Sequence, residues 1–155
     1  MQYVYRVDGD ERIKDPVVAA NSEVFVQGTL VSKNSSGFVI AATAGTRVWG
    51  VSNSAFTAAS DNQTVGLVCP TVIDISNVVM SMLGDQAMVA GDRYKYADIS
   101  TVSAGLQTVA VSTATTSGQL ALENLQSNVD NNPQVATYQL LCKVAEWQDL
   151  AYAQA

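Results

Sequence analysis

Three short apolar runs, separated by two clusters of turn residues, occupy the segment 23–53. The runs read VFVQGTLVSK, FVIAAT and VWGVSN, and the turns between them read NSSG and AGTR. β-Branched and aromatic residues bounded by Gly, Asn and Ser are typical of strands joined by tight turns. The segment therefore predicts a three-stranded antiparallel meander, with Gly37 and Gly45 at positive φ in its turns. Gly28 and Gly50 fall inside the predicted strands, where glycine indicates a bulge or a close backbone approach.

Similar short apolar runs continue through the rest of the chain and predict an all-β fold, either a small antiparallel β-barrel or a β-sandwich. Tyr94 and Tyr96 are expected on one face of a strand, with Arg93 and Lys95 on the other. The further predicted strands are 64–69, 71–75, 106–111 and 135–145, and the segment 78–83 is another apolar run.

The length of 155 residues fits one domain with a sizeable core. The predicted organisation is an extended N-terminal arm (1–22), a β-barrel or β-sandwich domain (23–145) and a C-terminal tail (146–155). The tail has apolar residues at helical spacing, which predicts a short helix or an extended arm. The residues predicted to be mostly buried are Val39, Trp49, Val51, Ile73, Leu141 and Val144.

Charged residues make up only 14% of the chain, against about 25% in an average domain. A surface built from uncharged polar residues suits a protein that works in an assembly. The net charge of −6 argues against nucleic acid as a partner, because phosphate-binding surfaces need clustered positive charge. No apolar run is long enough to span a membrane, and the first residues lack the pattern of a signal peptide. We therefore expect synthesis in a cytoplasm without secretion.

Candidates for catalysis are few, since the sequence contains no histidine. That absence removes the commonest general base and the commonest metal ligand. Cys69 and Cys142 lie in apolar runs and are interpreted as buried free thiols, with a disulfide as the minor alternative. We predict no enzymatic activity, no cofactor and no metal site.

Three polar features have ordinary interpretations. Asp92 lies beside Arg93 and is expected at a solvated strand end, with a buried ion pair as the alternative. Asn34 and Asn62 each begin a match to the N-glycosylation pattern, and both are interpreted as chance matches in Asn-rich and Ser-rich loops. Trp49 is expected in the core, with a sugar-stacking role as the alternative.

Five segments of the chain together resemble capsid decoration (cement) proteins of tailed bacteriophages. They are the runs 24–31 and 38–43, the turn 34–37 between them, the Val-Trp-Gly-Val segment 48–51 and the later Ala-Gly-Asp turn 90–92. The resemblance implies a β-rich module on the outer surface of an icosahedral head, where it clamps neighbouring capsomers. It also implies that the major capsid protein is the partner, that the chain is a homotrimer, and that it is located in the virion.

Other classes remain open. Another β-rich virion component, such as a head-fibre or tail-tube protein, is one alternative, and a carbohydrate-binding module using Trp49 and the tyrosines is another. Large apolar groups near both chain ends predict an interface, although the terminal segments could instead dock on their own domain. The predicted interface residues are Tyr3, Tyr5, Trp147, Leu150 and Tyr152.

Overall fold

The computed structural model describes residues 5–8, 12–76, 78–102, 106–125 and 138–145. These residues form two main β-sheets and a small two-stranded ladder, and among them neither sheet closes into a barrel. The all-β prediction is therefore confirmed, in its sandwich-like form. Segments 1–4, 9–11 and 146–155 lie outside the described residues, which leaves the predicted C-terminal tail and a part of the predicted N-terminal arm undescribed.

The larger sheet has seven strands, and its main order is β10-β13-β14-β9-β12-β11. Strand β1 also pairs with β9, so part of the predicted N-terminal arm joins the sheet of its own chain. The pairings are antiparallel, except for a single parallel pair between β12 and β9. The bounds are β1 (Tyr5–Asp8), β9 (Val79–Gly84), β10 (Tyr96–Ala97), β11 (Ile99–Val102), β12 (Leu106–Val109), β13 (Leu120–Leu125) and β14 (Tyr138–Val144).

The second sheet has five strands in the order β2-β8-β6-β4-β5, and the separate ladder joins β3 to β7. Their bounds are β2 (Arg12–Ile13), β3 (Val24–Phe25), β4 (Leu30–Lys33), β5 (Val39–Ala41), β6 (Gly50–Ser52), β7 (Phe56–Thr57) and β8 (Val72–Asp74).

The meander predicted for 23–53 is wrong in its order, although its strands are antiparallel. The first run lies between the other two, because β4 pairs with both β5 and β6. The run also breaks at Gly28, which has a φ of 88° and lies in a turn rather than inside a strand. Gly37 and Gly45 have the expected positive φ values of 86° and 74°. Gly50 marks a close approach, since a Cβ there would lie 2.5 Å from Val72 Cγ1.

Two apolar cores lie on opposite faces of the five-stranded sheet. Leu30 packs in the larger core with residues of the seven-stranded sheet, including Met80, Leu122 and Leu140. The next residue, Val31, packs in a smaller core with Phe25 of the ladder. Successive side chains of a strand point to opposite faces, so the five-stranded sheet forms a middle layer that is buried on both sides.

Strand alternation also decides which predicted core residues are buried. Val39, Trp49 and Val144 are buried, as expected. Val51, Ile73 and Leu141 are only half-buried, which corrects the prediction for these three. In β14 the inward positions belong to Leu140 and Cys142, the neighbours of Leu141 on the opposite face.

Two buried glutamines join the sheets. The Gln107 side chain accepts a hydrogen bond from Leu30 N at 2.6 Å and donates to the carbonyl oxygens of Leu30 and Ala42 at 2.8 and 2.7 Å. The Gln119 side chain accepts from Ile99 N at 2.9 Å and donates to Thr43 O at 2.9 Å and to Thr46 O. Both glutamines are 1% exposed or less, and buried polar groups are stable only when they are paired in this way.

Two predicted strands are replaced by turns. The segment predicted as a strand at 64–69 contains most of a single π-helical turn, Asn62–Gly66. In the predicted tyrosine strand only Tyr96 lies in a strand (β10), while Tyr94 lies in a turn with a φ of 65°. The strands predicted at 71–75, 106–111 and 135–145 are confirmed as β8, β12 and β14, and the apolar run 78–83 forms most of β9.

Candidate interaction surfaces

A groove lined by Trp49 and by several charged side chains, which we call the Trp49 groove, is the first candidate surface. Lys33 at the end of β4 and Lys14 just after β2 place their ammonium groups 4.3 and 5.4 Å from the centroid of the Trp49 ring. At these distances a cation is attracted to the face of an indole. Because the ring is already covered by lysines and only 9% exposed, it is a poor platform for stacking a sugar.

The charges of the Trp49 groove are unevenly paired. Lys14 Nζ lies 3.5 Å from Asp74 Oδ1. Burial alone would raise the pKa of Asp74, but the hydrogen bond from the Ser76 backbone and the charge of Lys14 outweigh it and lower that pKa. Burial, and then repulsion from Lys14, lower the pKa of Lys33. Within the described residues no carboxylate forms an ion pair with Lys33.

The Trp49 groove has a volume of about 330 Å³. Arg12 and Asp15 complete its charged lining, and Ile13 and Val17 supply apolar walls. Ile13 is 75% exposed, so this wall is open to solvent. The groove thus combines excess positive charge with apolar surface. These properties favour a ligand that has an anionic part next to an apolar part.

A second surface is the 65–68 loop, which presents Val65, Leu67 and Val68 at 72%, 57% and 52% exposure. Leu67 has a φ of 48°, in the left-handed region that large side chains rarely adopt. Single exposed apolar residues are common in proteins. Three in one short loop, one of them in a disfavoured backbone conformation, form a compact apolar surface.

The buried Asn62 side chain fixes this loop. Its amide group donates to Ala19 O at 2.8 Å and to Val68 O at 3.1 Å, and its Oδ1 accepts from Val68 N at 3.1 Å. Both amide hydrogens are used and the residue is 0% exposed. Asn62 is therefore inaccessible to glycosylation in the folded chain, which agrees with the interpretation of its sequence match as chance.

A third surface is the Tyr94 turn, residues 89–96, in which Tyr94 is 80% exposed. Asp92 anchors the turn: it accepts hydrogen bonds from Val89 N at 3.0 Å and from Lys95 Nζ at 2.9 Å. These two bonds outweigh burial and lower the pKa of Asp92. The expectation of a solvated Asp92 is therefore wrong, because the carboxylate is buried and paired with Lys95.

A cavity of about 160 Å³ lies beside Tyr94 and Tyr96. Its far wall carries the ion pair between Lys143 Nζ and Glu123 Oε1, which are 3.2 Å apart. Tyr94 N also donates to Leu122 O at 2.9 Å, which ties the turn to β13. This surface combines aromatic rings with paired charges.

The remaining predicted site residues are placed only in part. Tyr5 lies in β1, where its backbone pairs with that of Ser81. Tyr3, Trp147, Leu150 and Tyr152 lie outside the described residues, so the terminal interface stays a prediction. Both cysteines are free, as expected. Cys142 is buried, and burial raises its pKa to about 12, whereas Cys69 is only half-buried, contrary to expectation.

Comparisons with known proteins identify no relative. No protein-family model, no curated protein and no solved structure matches the chain. Among the described residues, no group of three His, Cys, Asp or Glu side chains gathers where it could hold a metal ion. The same residues contain no helix of the length and apolarity needed to cross a membrane.

Sequence reasoning missed the surfaces that depend on long-range contacts. Lys14, Lys33 and Trp49 come from separate parts of the chain and meet only in the folded sheet. The 65–68 loop could have been found by one signal, the polar Asn-Gln-Thr stretch that directly precedes its apolar residues and contradicts a continuous strand.

Proposed function

We propose that this chain is a structural virion protein that decorates the outer surface of an icosahedral phage capsid and stabilises contacts between capsomers. It acts by binding and has no enzymatic activity. Its partners are the major capsid protein and further copies of itself in a homotrimer. The sequence resemblance supports the class of protein, and the 65–68 loop is the observation that carries the binding role.

The 65–68 loop supports a protein partner because it displays apolar side chains at a conformational cost. A left-handed backbone costs an L-residue about 1–2 kcal/mol relative to the right-handed region. Leu67 adopts it with its side chain more than half exposed, so packing in its own chain gives little compensation. A partner surface that covers this loop would remove the exposed apolar area from water.

The test is binding to capsids of the encoding phage prepared without this protein. The double variant Val65→Ser with Leu67→Asn removes apolar surface, while asparagine tolerates the left-handed conformation at position 67. We expect at least a roughly tenfold loss of affinity, equivalent to about 1.4 kcal/mol, with the thermal unfolding midpoint unchanged or raised.

The matched control is Val24→Ser, which removes another exposed valine (49%) outside the three candidate surfaces and is expected to bind normally. Unchanged affinity of the double variant would remove the 65–68 loop from the interface. Copy number separates decoration from a head fibre or a tail component: a decoration protein is present in many copies per head and can be stripped without loss of the shell.

The exposed Tyr94 favours a second candidate, a carbohydrate-binding module. An aromatic ring that is 80% exposed beside Tyr96 and a charged pair offers a stacking face with nearby polar groups. Glycan binding by the isolated protein that is lost in Tyr94→Ala and kept in Trp49→Phe would support this candidate. Absence of binding across a broad glycan panel would leave decoration as the proposal.

A further inference from the structure

We infer that the Trp49 groove binds an acidic segment of a protein partner, in which a carboxylate side chain lies next to an apolar side chain. This inference goes beyond the proposed function, because the groove shares no residue with the 65–68 loop. It does not depend on whether the partner is a capsid.

The Trp49 groove is locally positive on a protein that is acidic as a whole. The chain carries a net charge of −6, yet three of its eight basic residues, Arg12, Lys14 and Lys33, line this one groove. The positive charge of this groove is opposite in sign to the net charge of the chain. It attracts an anion over the short range that salt leaves unscreened, roughly 8–10 Å.

The net charge of the groove limits the charge of the anion that it can bind. Asp15 and Asp74 also line the groove, so its ionised groups sum to one positive charge. A single carboxylate balances that charge. A phosphate dianion would exceed it and would be repelled by both aspartates, which favours the carboxylate.

The ammonium group of Lys33 lies in an unfavourable electrostatic environment. Its ammonium group lies over Trp49 with no carboxylate partner among the described residues, and Lys14 repels it. A carboxylate bound between the two lysines would replace this repulsion by attraction and would supply charge-assisted hydrogen bonds. Binding should therefore raise the pKa of Lys33 toward its ordinary value.

The Trp49 groove also has an apolar wall. Ile13, at 75% exposure, and Val17 stand beside the charged groups, and Trp49 forms the base. A small ion such as acetate would leave these apolar side chains exposed to solvent. An acidic residue next to an apolar residue in a peptide would cover both parts of the groove, so the occupant we infer is a peptide segment.

The experiment is an NMR titration of the intact protein with the blocked peptide acetyl-Leu-Glu-Leu-amide. The indole signal of Trp49, assigned with a Trp147→Phe variant, and the ammonium signal of Lys33 are followed. We expect a saturable shift of both signals, with a Kd of about 1–10 mM, the range of a single exposed ion pair with a small apolar contact. The pKa of Lys33 should rise on saturation.

Four variants test whether binding is specific to the groove. Lys33→Met should weaken binding about tenfold, which corresponds to about 1.4 kcal/mol, whereas Lys33→Arg should keep it. The matched control Lys95→Met removes a lysine outside the groove and should bind normally. Asp74→Asn should bind more tightly than the wild type, because it removes a negative charge that competes with the ligand.

Several outcomes would overturn the inference. The first is equal binding of acetyl-Leu-Gln-Leu-amide, which lacks the charge. The others are unchanged affinity in a folded Lys33→Met variant, and tighter binding of inorganic phosphate than of the glutamate peptide. Absence of any saturable shift would also overturn it. Since the titration uses the free protein, a failure of capsid binding leaves its result intact.

Discussion

The 65–68 loop and the Tyr94 turn achieve a similar display with different anchors. Each holds a large, exposed side chain at positive φ: Leu67 at 48° and Tyr94 at 65°. The loop is anchored by the neutral amide of Asn62, which makes three hydrogen bonds to the backbone. The turn is anchored by the Asp92 carboxylate, which binds one backbone N–H and one ammonium group.

The difference in anchors should produce a difference in pH response. An amide does not titrate, so the 65–68 loop keeps its anchor at any pH at which the protein folds. The Asp92 carboxylate has a lowered pKa, so the folded state favours its ionised form. The chain thus has one exposed apolar surface that is insensitive to pH and one aromatic surface that loses its anchor in acid.

The largest expected effect is that of Asn62→Ala, which would break the pH-insensitive anchor. The variant leaves Ala19 O and Val68 N without their partner and removes one of the two donors to Val68 O, which still accepts from Ala19 N at 3.2 Å, in a site where Asn62 is 0% exposed. Unsatisfied groups of this kind cost about 1–3 kcal/mol each, and partial access to water reduces the sum. We expect a loss of about 2–4 kcal/mol in the free energy of unfolding, measured by urea denaturation.

The control for this prediction is Gln63→Ala at the next position. Gln63 Oε1 accepts a hydrogen bond from Asn21 N at 3.0 Å, but this contact is exposed to solvent. Its loss should cost less than about 1 kcal/mol. Equal effects at positions 62 and 63 would show that the Asn62 side chain is not the anchor.

The next effect is that of Asp92→Asn, which tests the titrating anchor. A carboxyl whose folded pKa is depressed contributes stability above its unfolded pKa, and that contribution is lost as pH falls through the folded pKa. We expect the variant to be about 1–2 kcal/mol less stable than the wild type at pH 7. The difference should shrink once pH falls below the ordinary value for aspartate, about 3.9.

Urea denaturation of both proteins at pH 7 and at pH 3 measures this change, and the Asn62→Ala deficit should stay constant between the two. Asp61→Asn, at an exposed position, is the matched control and should change stability by less than about 0.5 kcal/mol. A deficit for Asp92→Asn that is the same at both pH values would argue that the carboxylate charge contributes nothing.

The smallest effect concerns the feature that the two regions share. Leu67→Asn and Tyr94→Asn replace large residues at positive φ by one that tolerates the left-handed region. Each should raise the free energy of unfolding by about 0.5 kcal/mol, since little packing is lost at these exposed positions. Thermal unfolding measures the gain. A loss of stability in one variant alone would show that its side chain packs on its own chain.

Local sequence predicts some of these elements and not others. Strands β8 and β9 follow from short runs of apolar residues, and the turns at Gly37 and Gly45 follow from their glycines. The segment 64–69 has the same apolar character, yet it forms a turn and a loop because the Asn62 amide takes the place of a strand partner. Local propensity gives way there to one buried long-range contact.

The Trp49 groove could not be predicted for a related reason. Strand order decides which side chains meet, and the prediction of a simple meander placed the first run at one side instead of between the other two. With β4 in the middle, Lys33 lies over Trp49. The pattern of apolar residues predicts strands and faces, whereas the order of strands depends on long-range pairing that a short window does not contain.

Gln107 and Gln119 have a consequence for how uniquely the two sheets align. A slip of one residue in β12 would turn Gln107 to the opposite face and take away the side-chain partner of Leu30 N and Ala42 O within the core. An apolar residue of similar volume would fill the space but would tolerate several alignments. The glutamines therefore act against misregistered pairing, because the observed alignment of the layers pairs both side-chain amides with buried backbone groups.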